Sequence, residues 1–243
     1  MRTSLKLLTT TLLAGVACGA AQAETSVTAN IGYTNDYIYR GLSQKPDNGS
    51  FQGGVDLTNG IFYAGTWLSS IDFGTDSTIE YDFYAGVTPS VGNTTFNLGV
   101  IYYGYDGDDA VADDLPYWEA LAGFTHAFDN GYSFGGKLML SPEFTLNSGT
   151  AVYTEVNAAT KLAEYGNGLT VTGSGAVGYQ TVEDNDAFGF DNYTTWNAGL
   201  TAAYDVFSFD LRYHDTDIDA SALADGKLVG LVKLTVPIYP RGE

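Results

Sequence analysis

The chain has 243 residues, with ten Lys and Arg against 29 Asp and Glu, and a formal net charge of −19. A surface this acidic repels phosphate groups, so the composition excludes nucleic acid as a partner. The single cysteine, Cys18, lies within the first 23 residues, so the rest of the chain has no thiol for a disulfide, a thiolate metal site or a cysteine nucleophile.

Residues 1–23 are typical of a secretory signal peptide. Arg2 and Lys6 give a positive start, an apolar stretch follows, and Ala21-Gln22-Ala23 is the small-x-small pattern before a cleavage site. We expect residues 24–243 to remain as a single domain with eight Lys and Arg, 29 acids and a net charge of −21. A lipid anchor at Cys18 is the less favoured alternative, because no Leu stands in the three residues before it.

After the signal, apolar and polar side chains alternate in short segments, which is the period of a β-strand. Val27, Ala29 and Ile31, for example, oppose Thr28 and Asn30. This pattern predicts about twelve strands, at residues 25–40, 50–58, 61–71, 78–89, 94–103, 117–127, 132–141, 151–162, 168–180, 193–204, 207–214 and 227–238.

Short turns and longer acidic loops alternate between these segments. Asn59-Gly60 and Asp129-Asn130-Gly131 are tight hairpin turns, whereas connections such as 105–114 are long and rich in Asp. With an even number of strands, all short turns fall on one side of a sheet and all acidic loops on the other. The sequence therefore predicts an all-β, antiparallel transmembrane β-barrel in the bacterial outer membrane, with short periplasmic turns and acidic extracellular loops. A soluble β-sandwich is the alternative.

The three tryptophans fall near strand ends on the predicted extracellular side. Trp67 lies near the end of an ascending segment, and Trp118 and Trp196 lie near the start of descending ones. Indole rings prefer the interface between membrane and water, so we expect all three in an aromatic belt. The phase of the segment around Trp67 is ambiguous.

Three early segments carry a resemblance to a known family. Residues 36–44 (DYIYRGLSQ), 51–57 (FQGGVDL) and 62–67 (FYAGTW) resemble the TorF family of outer-membrane porins, and the similarity covers about residues 25–105. The resemblance implies an outer-membrane barrel and a transport function, without naming a substrate.

If the apolar phase faces lipid, the opposite phase faces a wet lumen. This places seven acids and five basic residues there: Asp36, Arg40, Asp56, Glu80, Asp82, Glu119, Lys137, Glu155, Lys161, Asp210, Arg212 and Lys233. A barrel of about twelve strands leaves room for a narrow aqueous passage. Within it, Arg40 either lines a constriction or, as the favoured interpretation, forms an ion pair that braces the wall.

We therefore expect a porin-like channel for passive diffusion of small hydrophilic solutes, with a modest cation preference from the acidic mouth. The partners are then outer-membrane lipid and small solutes or cations, and homo-oligomerisation is left open. The main alternative is a non-conducting structural or adhesive barrel. A barrel-embedded lipid hydrolase is less favoured, because neither His126 nor His214 lies in a catalytic motif. We expect no enzyme activity, no cofactor and no metal site, since the Asp-rich loop lacks the spacing of an EF-hand.

Overall fold

The computed structural model describes residues 25–46, 48–108, 111–219 and 221–240. The predicted signal peptide and its cleavage site lie outside these residues. The described part of the chain is almost entirely β-structure. Its strands, in chain order, are β1 (Thr25–Thr34), β2 (Ile38–Tyr39), β3 (Leu42–Ser43), β4 (Ser50–Asn59), β5 (Phe62–Ser70), β6 (Ile79–Val87), β7 (Ser90–Val91), β8 (Thr94–Tyr105), β9 (Tyr117–Ala127), β10 (Tyr132–Ser141), β11 (Ala151–Glu164), β12 (Thr170–Val182), β13 (Tyr193–Tyr204), β14 (Phe207–Thr216) and β15 (Lys227–Tyr239).

Twelve long strands form a closed antiparallel barrel, as the alternation of the sequence predicts. The sheet order runs from β6 through β5, β4, β1 and β15 back down to β8, and β6 also pairs with β8. The N-terminal and C-terminal strands close the wall, with Ile31 opposite Leu234. Closure pairs the backbone groups of every long strand on both sides, which an open sheet in hydrocarbon could not do.

The outer face of the barrel is apolar. Along β4, the exposed residues Phe51, Val55 and Leu57 alternate with the less exposed Gln52 and Asp56. The same alternation leaves large apolar side chains exposed around the wall, such as Phe83, Leu98, Val156 and Leu200. This face matches a hydrocarbon environment. No helix in the described residues has the length and apolar character of a membrane span.

The two ends of the barrel differ. At one end, which we call the turn end, short connections use positive φ values at Gly60, Gly92, Gly131, Gly168 and Asp205. These are the conformations that tight hairpins require. At the other end, the loop end, the connections are 35–49, 71–78, 106–116, 142–150, 183–192 and 217–226. They carry the short helical segments Ala112–Asp114, Thr145–Asn147 and Asn185–Phe188.

The prediction of one strand over residues 25–40 is wrong beyond Thr34. There the chain leaves the wall and folds into the barrel as a small hairpin made by β2 and β3. We call residues 35–46 the inner hairpin. Its two-residue tip is Arg40-Gly41, with φ values of 48° and 85°, and two successive positive φ values suit a two-residue hairpin. The alternation of Tyr37 and Tyr39 continues past Thr34, so the pattern alone could not mark the exit.

The aromatic belt stays a prediction for Trp118 and Trp196, and it is wrong for Trp67. Trp118 and Trp196 are partly exposed on the outer face near the loop end. Trp67 instead lies on the inner face, because β5 exposes Leu68 and buries Ser69. Its indole packs edge-on against the ring of Tyr37, with centroids 5.3 Å apart. The third tryptophan therefore supports the inner hairpin rather than the lipid interface.

Candidate functional site: the barrel bore

The inner hairpin crosses the bore near the loop end. The Arg40 side chain at its tip reaches strands that lie across the barrel from β1. Arg40 Nη2 donates to Glu119 Oε2 on β9 at 2.5 Å, and Nη1 donates to Gln180 Oε1 on β12 at 2.7 Å. Nη2 also lies 3.3 Å from the sulfur of Met139 on β10. The hairpin is thus anchored to the wall opposite its origin.

The anchor is a buried ion pair in an aromatic setting. The side chains of Arg40 and Glu119 are 5% and 0% exposed. The guanidinium carbon lies 4.7 Å from the ring centroid of Tyr39 and 4.5 Å from that of Tyr153. A guanidinium over aromatic faces gains cation–π attraction in addition to its charged hydrogen bonds. Removing either ion would leave the other buried without its partner, which is costly.

Two further contacts hold the base of the inner hairpin. The Tyr37 hydroxyl donates to Glu80 Oε1 at 2.7 Å. The Asp36 carboxylate accepts from the Ser43 hydroxyl at 2.6 Å and pairs with Lys227 Nζ at 3.0 Å. The hairpin is therefore fixed to β6 and β15 as well as to the far wall, and it narrows the bore at this level.

Two carboxylates near the inner hairpin have oxygens without a hydrogen-bond partner. Asp82 is 5% exposed, and within the described residues its Oδ1 has no such partner; the same holds for Oε1 of Glu119. Asp82 lies two residues after Glu80 on the same strand, so both carboxylates face inward. The loop-end half of the bore therefore holds four carboxyl groups, of Asp36, Glu80, Asp82 and Glu119, against the two basic groups of Arg40 and Lys227.

The turn-end half of the bore is polar and mostly ion-paired. Lys137 Nζ lies 3.3 Å from Glu155 Oε2, and Arg212 Nη2 lies 3.0 Å from Asp210 Oδ2. Asp56 accepts from the Tyr84 hydroxyl at 2.5 Å. Lys233 is within electrostatic range of Asp56 and Asp210. Eleven of the twelve charged residues named from the sequence thus lie inside the barrel: Asp36, Arg40, Asp56, Glu80, Asp82, Glu119, Lys137, Glu155, Asp210, Arg212 and Lys233.

Lys161 is the exception. It keeps the inward phase, opposite Thr172, but lies at the rim of the turn end, where 52% of its side chain is exposed and it pairs with Glu164. The alternation of the sequence gives the phase of this residue but not its height in the barrel.

The loops at the loop end are acidic and internally hydrogen-bonded. Asp106 Oδ1 accepts from the backbone amides of Thr78 at 2.6 Å and Ile79 at 2.7 Å. Slight burial raises the pKa of Asp106, but these amide hydrogen bonds outweigh it and hold the pKa below its usual value. No group of three or more His, Cys, Asp or Glu residues in the described ranges is arranged to hold a metal ion.

The two histidines have different surroundings. His126 Nδ1 shares a hydrogen bond of 2.8 Å with the Thr94 hydroxyl near the turn end. His214 lies on β14, two positions beyond Arg212 and on the same inner face. Within the described residues, neither histidine hydrogen-bonds to a serine.

A cavity of about 510 Å³ lies between the inner hairpin and the loops. We call it the vestibule. The inner hairpin forms its floor, and loop residues including Phe144, Phe188 and Phe190 form its walls. The sequence did not reveal this cavity, because its walls come from five separate connections that meet only in the folded barrel.

Several residues that complete the bore were missed in the sequence. Tyr37, Tyr39 and Gln180 hold the inner hairpin, and Asn197 accepts from Arg212 at 2.8 Å. The alternation of the sequence shows that these side chains face inward. Because they are uncharged, however, the sequence does not indicate that they complete an ion-pair network.

Comparison with known proteins agrees with this architecture. A family model described as "Bacterial protein of unknown function (Gcw_chp)" matches residues 18–236. The chain belongs to this family. No curated protein sequence matches it.

Solved structures with similar folds are outer-membrane barrels. The KdgM porin is 7% identical, with a TM-score of 0.57 over 86% of this chain and 97% of that chain. The NanC porin is also 7% identical, with a TM-score of 0.51 over the same shares. CdiB from Escherichia coli is 11% identical, with a TM-score of 0.50 over 86% of this chain and 62% of that chain.

At these identities the likeness shows the fold. The predicted twelve-stranded outer-membrane barrel is confirmed, and its apolar exterior places it in a bacterial outer membrane. The comparisons give no evidence for the TorF family, so that resemblance rests on the sequence segments alone.

Proposed function

We propose that the protein is an outer-membrane channel for passive diffusion of small hydrophilic solutes, with a modest preference for cations. The observation that carries this proposal is the polar bore inside an apolar wall. Ion pairs such as Lys137–Glu155 and Arg212–Asp210 face the interior, where water can solvate them, whereas the exterior presents Phe, Leu and Val. A β-barrel with a polar, hydrated interior and an apolar exterior is typical of a diffusion channel.

The cation preference rests on the balance of paired and unpaired charge. Arg40, Lys137 and Arg212 each pair with a carboxylate, so their positive charge is locally compensated. The loops at the mouth are acidic, and hydrogen bonds hold the pKa values of two of their carboxyl groups, Asp106 and Glu183, below the usual values, which keeps them charged. Such a mouth concentrates cations, and the effect weakens as salt shortens the Debye length.

Reversal potentials in a planar bilayer with a KCl gradient test this preference. We expect potentials that favour K⁺ over Cl⁻, with the preference smaller at high salt. The double variant Asp106→Asn/Glu183→Gln, in the loops at the mouth, should reduce it, whereas Asp129→Asn, in a turn at the turn end, should leave it nearly unchanged. Potentials that favour chloride in the unmodified protein would contradict the proposal.

A second candidate function is a non-conducting structural or adhesive barrel. The inner hairpin favours it, because Arg40 spans the bore and is almost completely buried. In that case the hairpin is a plug, and purified protein gives no current steps in lipid even though it is folded. A lipid hydrolase is the least favoured function, and phospholipase turnover that His214→Ala abolishes would support it.

A further inference from the structure

The vestibule has the size and lining of a small-molecule site. Its volume of about 510 Å³ lies within the range of roughly 300–1,000 Å³ typical of ligand pockets. Three phenylalanines form a continuous wall: the rings of Phe144 and Phe188 have centroids 5.5 Å apart, and those of Phe188 and Phe190 are 5.8 Å apart. Both contacts are tilted or edge-on, the arrangement that aromatic rings prefer. The aromatic ring of a ligand could pack against this wall in the same geometry.

The polar groups at the floor of the vestibule are already occupied. Arg40 donates to Glu119 and to Gln180, and the amide nitrogen of Gln180 donates to the Thr181 carbonyl at 3.0 Å. At the side, Asp72 Oδ1 accepts from the Gly74 amide at 3.1 Å. An anionic group that entered would find Arg40 already engaged by Glu119 and Gln180, and any charge buried against the phenylalanine wall would lose water, which is unfavourable. The part of a ligand inside the vestibule is therefore uncharged.

The surroundings of the vestibule also restrict the charge of a ligand. An open cleft beside the vestibule is lined by five acids: Glu143, Glu183, Asp184, Asp186 and Asp191. Hydrogen bonds to the Thr150 backbone amide and hydroxyl hold the pKa of Glu183 below its usual value, which keeps it charged. This acidic entrance disfavours anions.

We propose that the vestibule binds the aromatic ring of small, uncharged solutes at the loop end of the barrel. The ring packs against Phe188 and Phe190 above the inner hairpin, and the polar part of the solute stays in water at the mouth. The proposal concerns binding and does not depend on whether the bore conducts, so it can stand or fall separately from the channel function.

Saturation-transfer NMR on the full barrel in lipid nanodiscs, with three uncharged glucosides, tests this proposal. The ligands are phenyl, cyclohexyl and methyl β-glucoside, and nanodiscs without protein correct for partitioning into lipid. We expect transfer to the phenyl protons, clearly weaker transfer to the cyclohexyl group and none to methyl glucoside. An anionic analogue, 4-carboxyphenyl β-glucoside, should bind more weakly than the phenyl compound.

Variants locate the site. Phe188→Ala and Phe190→Ala should each weaken phenyl glucoside binding by about threefold to tenfold, the size of one lost aromatic contact. Phe128→Ala, an exposed ring at the turn end, is the matched control and should have no effect. Heat-modifiable migration on gels verifies that each variant is folded, and two separate wall variants guard against one failing to fold.

Three results would overturn the proposal: equal binding of the phenyl and cyclohexyl compounds, stronger binding of the carboxylate, or unchanged phenyl binding in both folded wall variants. The first would indicate a general apolar pocket, and the second would indicate that Arg40 is available to anions. The third would place the ligand elsewhere on the barrel or in the lipid.

Discussion

The barrel wall and the inner hairpin are built from similar residues but are held in place by different interactions. In the wall, each strand is held by backbone pairing to two neighbours, and the alternation of side chains decides only which face is wet. In the inner hairpin, Ile38–Tyr39 pair with Leu42–Ser43, and single backbone hydrogen bonds, such as that from Ser43 to Leu223, join the hairpin to its surroundings. Its tip and base are held to the wall by side-chain anchors such as Arg40–Glu119 and Tyr37–Glu80. The wall therefore tolerates changes of individual side chains, whereas the hairpin depends on a few of them.

The largest expected effect comes from breaking the buried anchor. Glu119→Ala should destabilise the barrel by about 3–5 kcal/mol, because Arg40 would remain buried without its carboxylate. The measurement is urea-induced unfolding in lipid vesicles, followed by tryptophan fluorescence and gel migration.

The exposed Lys161–Glu164 pair is the matched control for this variant. Lys161→Ala should cost only about 0–1 kcal/mol, as for a surface ion pair. The double variant Arg40→Ala/Glu119→Ala should be more stable than Glu119→Ala alone. Equal, small losses at both ion pairs would remove the distinction between hairpin and wall.

A glycine in the wall gives the next largest effect. A Cβ at Gly65 would lie 2.5 Å from Cε2 of Tyr84, whose hydroxyl donates to Asp56. We expect Gly65→Ala to destabilise the protein by about 1–3 kcal/mol, as overpacking typically does. Gly166→Ala, in an open turn with no atom within 4 Å of the new Cβ, should change stability by at most about 0.5 kcal/mol. Thermal melting compares the two, and an equal effect would show that Tyr84 does not need this space.

The smallest expected effect concerns a loop carboxylate. Because hydrogen bonds hold the pKa of Asp106 below its unfolded value, ionised Asp106 stabilises the folded state. This contribution is complete above the unfolded pKa of about 3.9 and is lost as the pH falls through the lower folded pKa. Melting temperatures between about pH 6 and pH 2 should therefore converge for the unmodified protein and Asp106→Asn at the acidic end. Asp113→Asn, in the same loop, serves as the control, and parallel curves for Asp106→Asn would contradict the stabilising role.

The same distinction explains how far the sequence could be interpreted. Turn signals such as Asn59-Gly60 and the period of two located all twelve wall strands, because in a membrane barrel each strand repeats one simple constraint. The inner hairpin was not predicted, because Tyr37 and Tyr39 continue the alternation of β1. Their partners, Glu80 and Glu119, lie on strands that are distant in the sequence. The dipeptide Arg40-Gly41 was the local signal available, since a polar residue followed by Gly can form a two-residue turn.

Two residues of the predicted sites lie elsewhere for local reasons. Trp67 faces inward, where Tyr37 of the inner hairpin packs against it, and Lys161 keeps the inward phase but lies in water at the rim of the turn end. A period of two expresses neither the contact with the hairpin nor the height of a residue in the barrel. Arg40 was favoured from sequence as a bracing ion-pair residue, and its buried bond to Glu119 is the geometry that this role requires.

The central claim is that a hydrated bore crosses the membrane and that the inner hairpin narrows it. Single-channel recording in planar bilayers, with the purified protein and with Arg40→Ala, tests this claim most directly. We predict resolved current steps carried mainly by K⁺ for the unmodified protein, and larger steps for Arg40→Ala, because its hairpin loses the anchor on the far wall. Silence from both folded proteins would contradict the account.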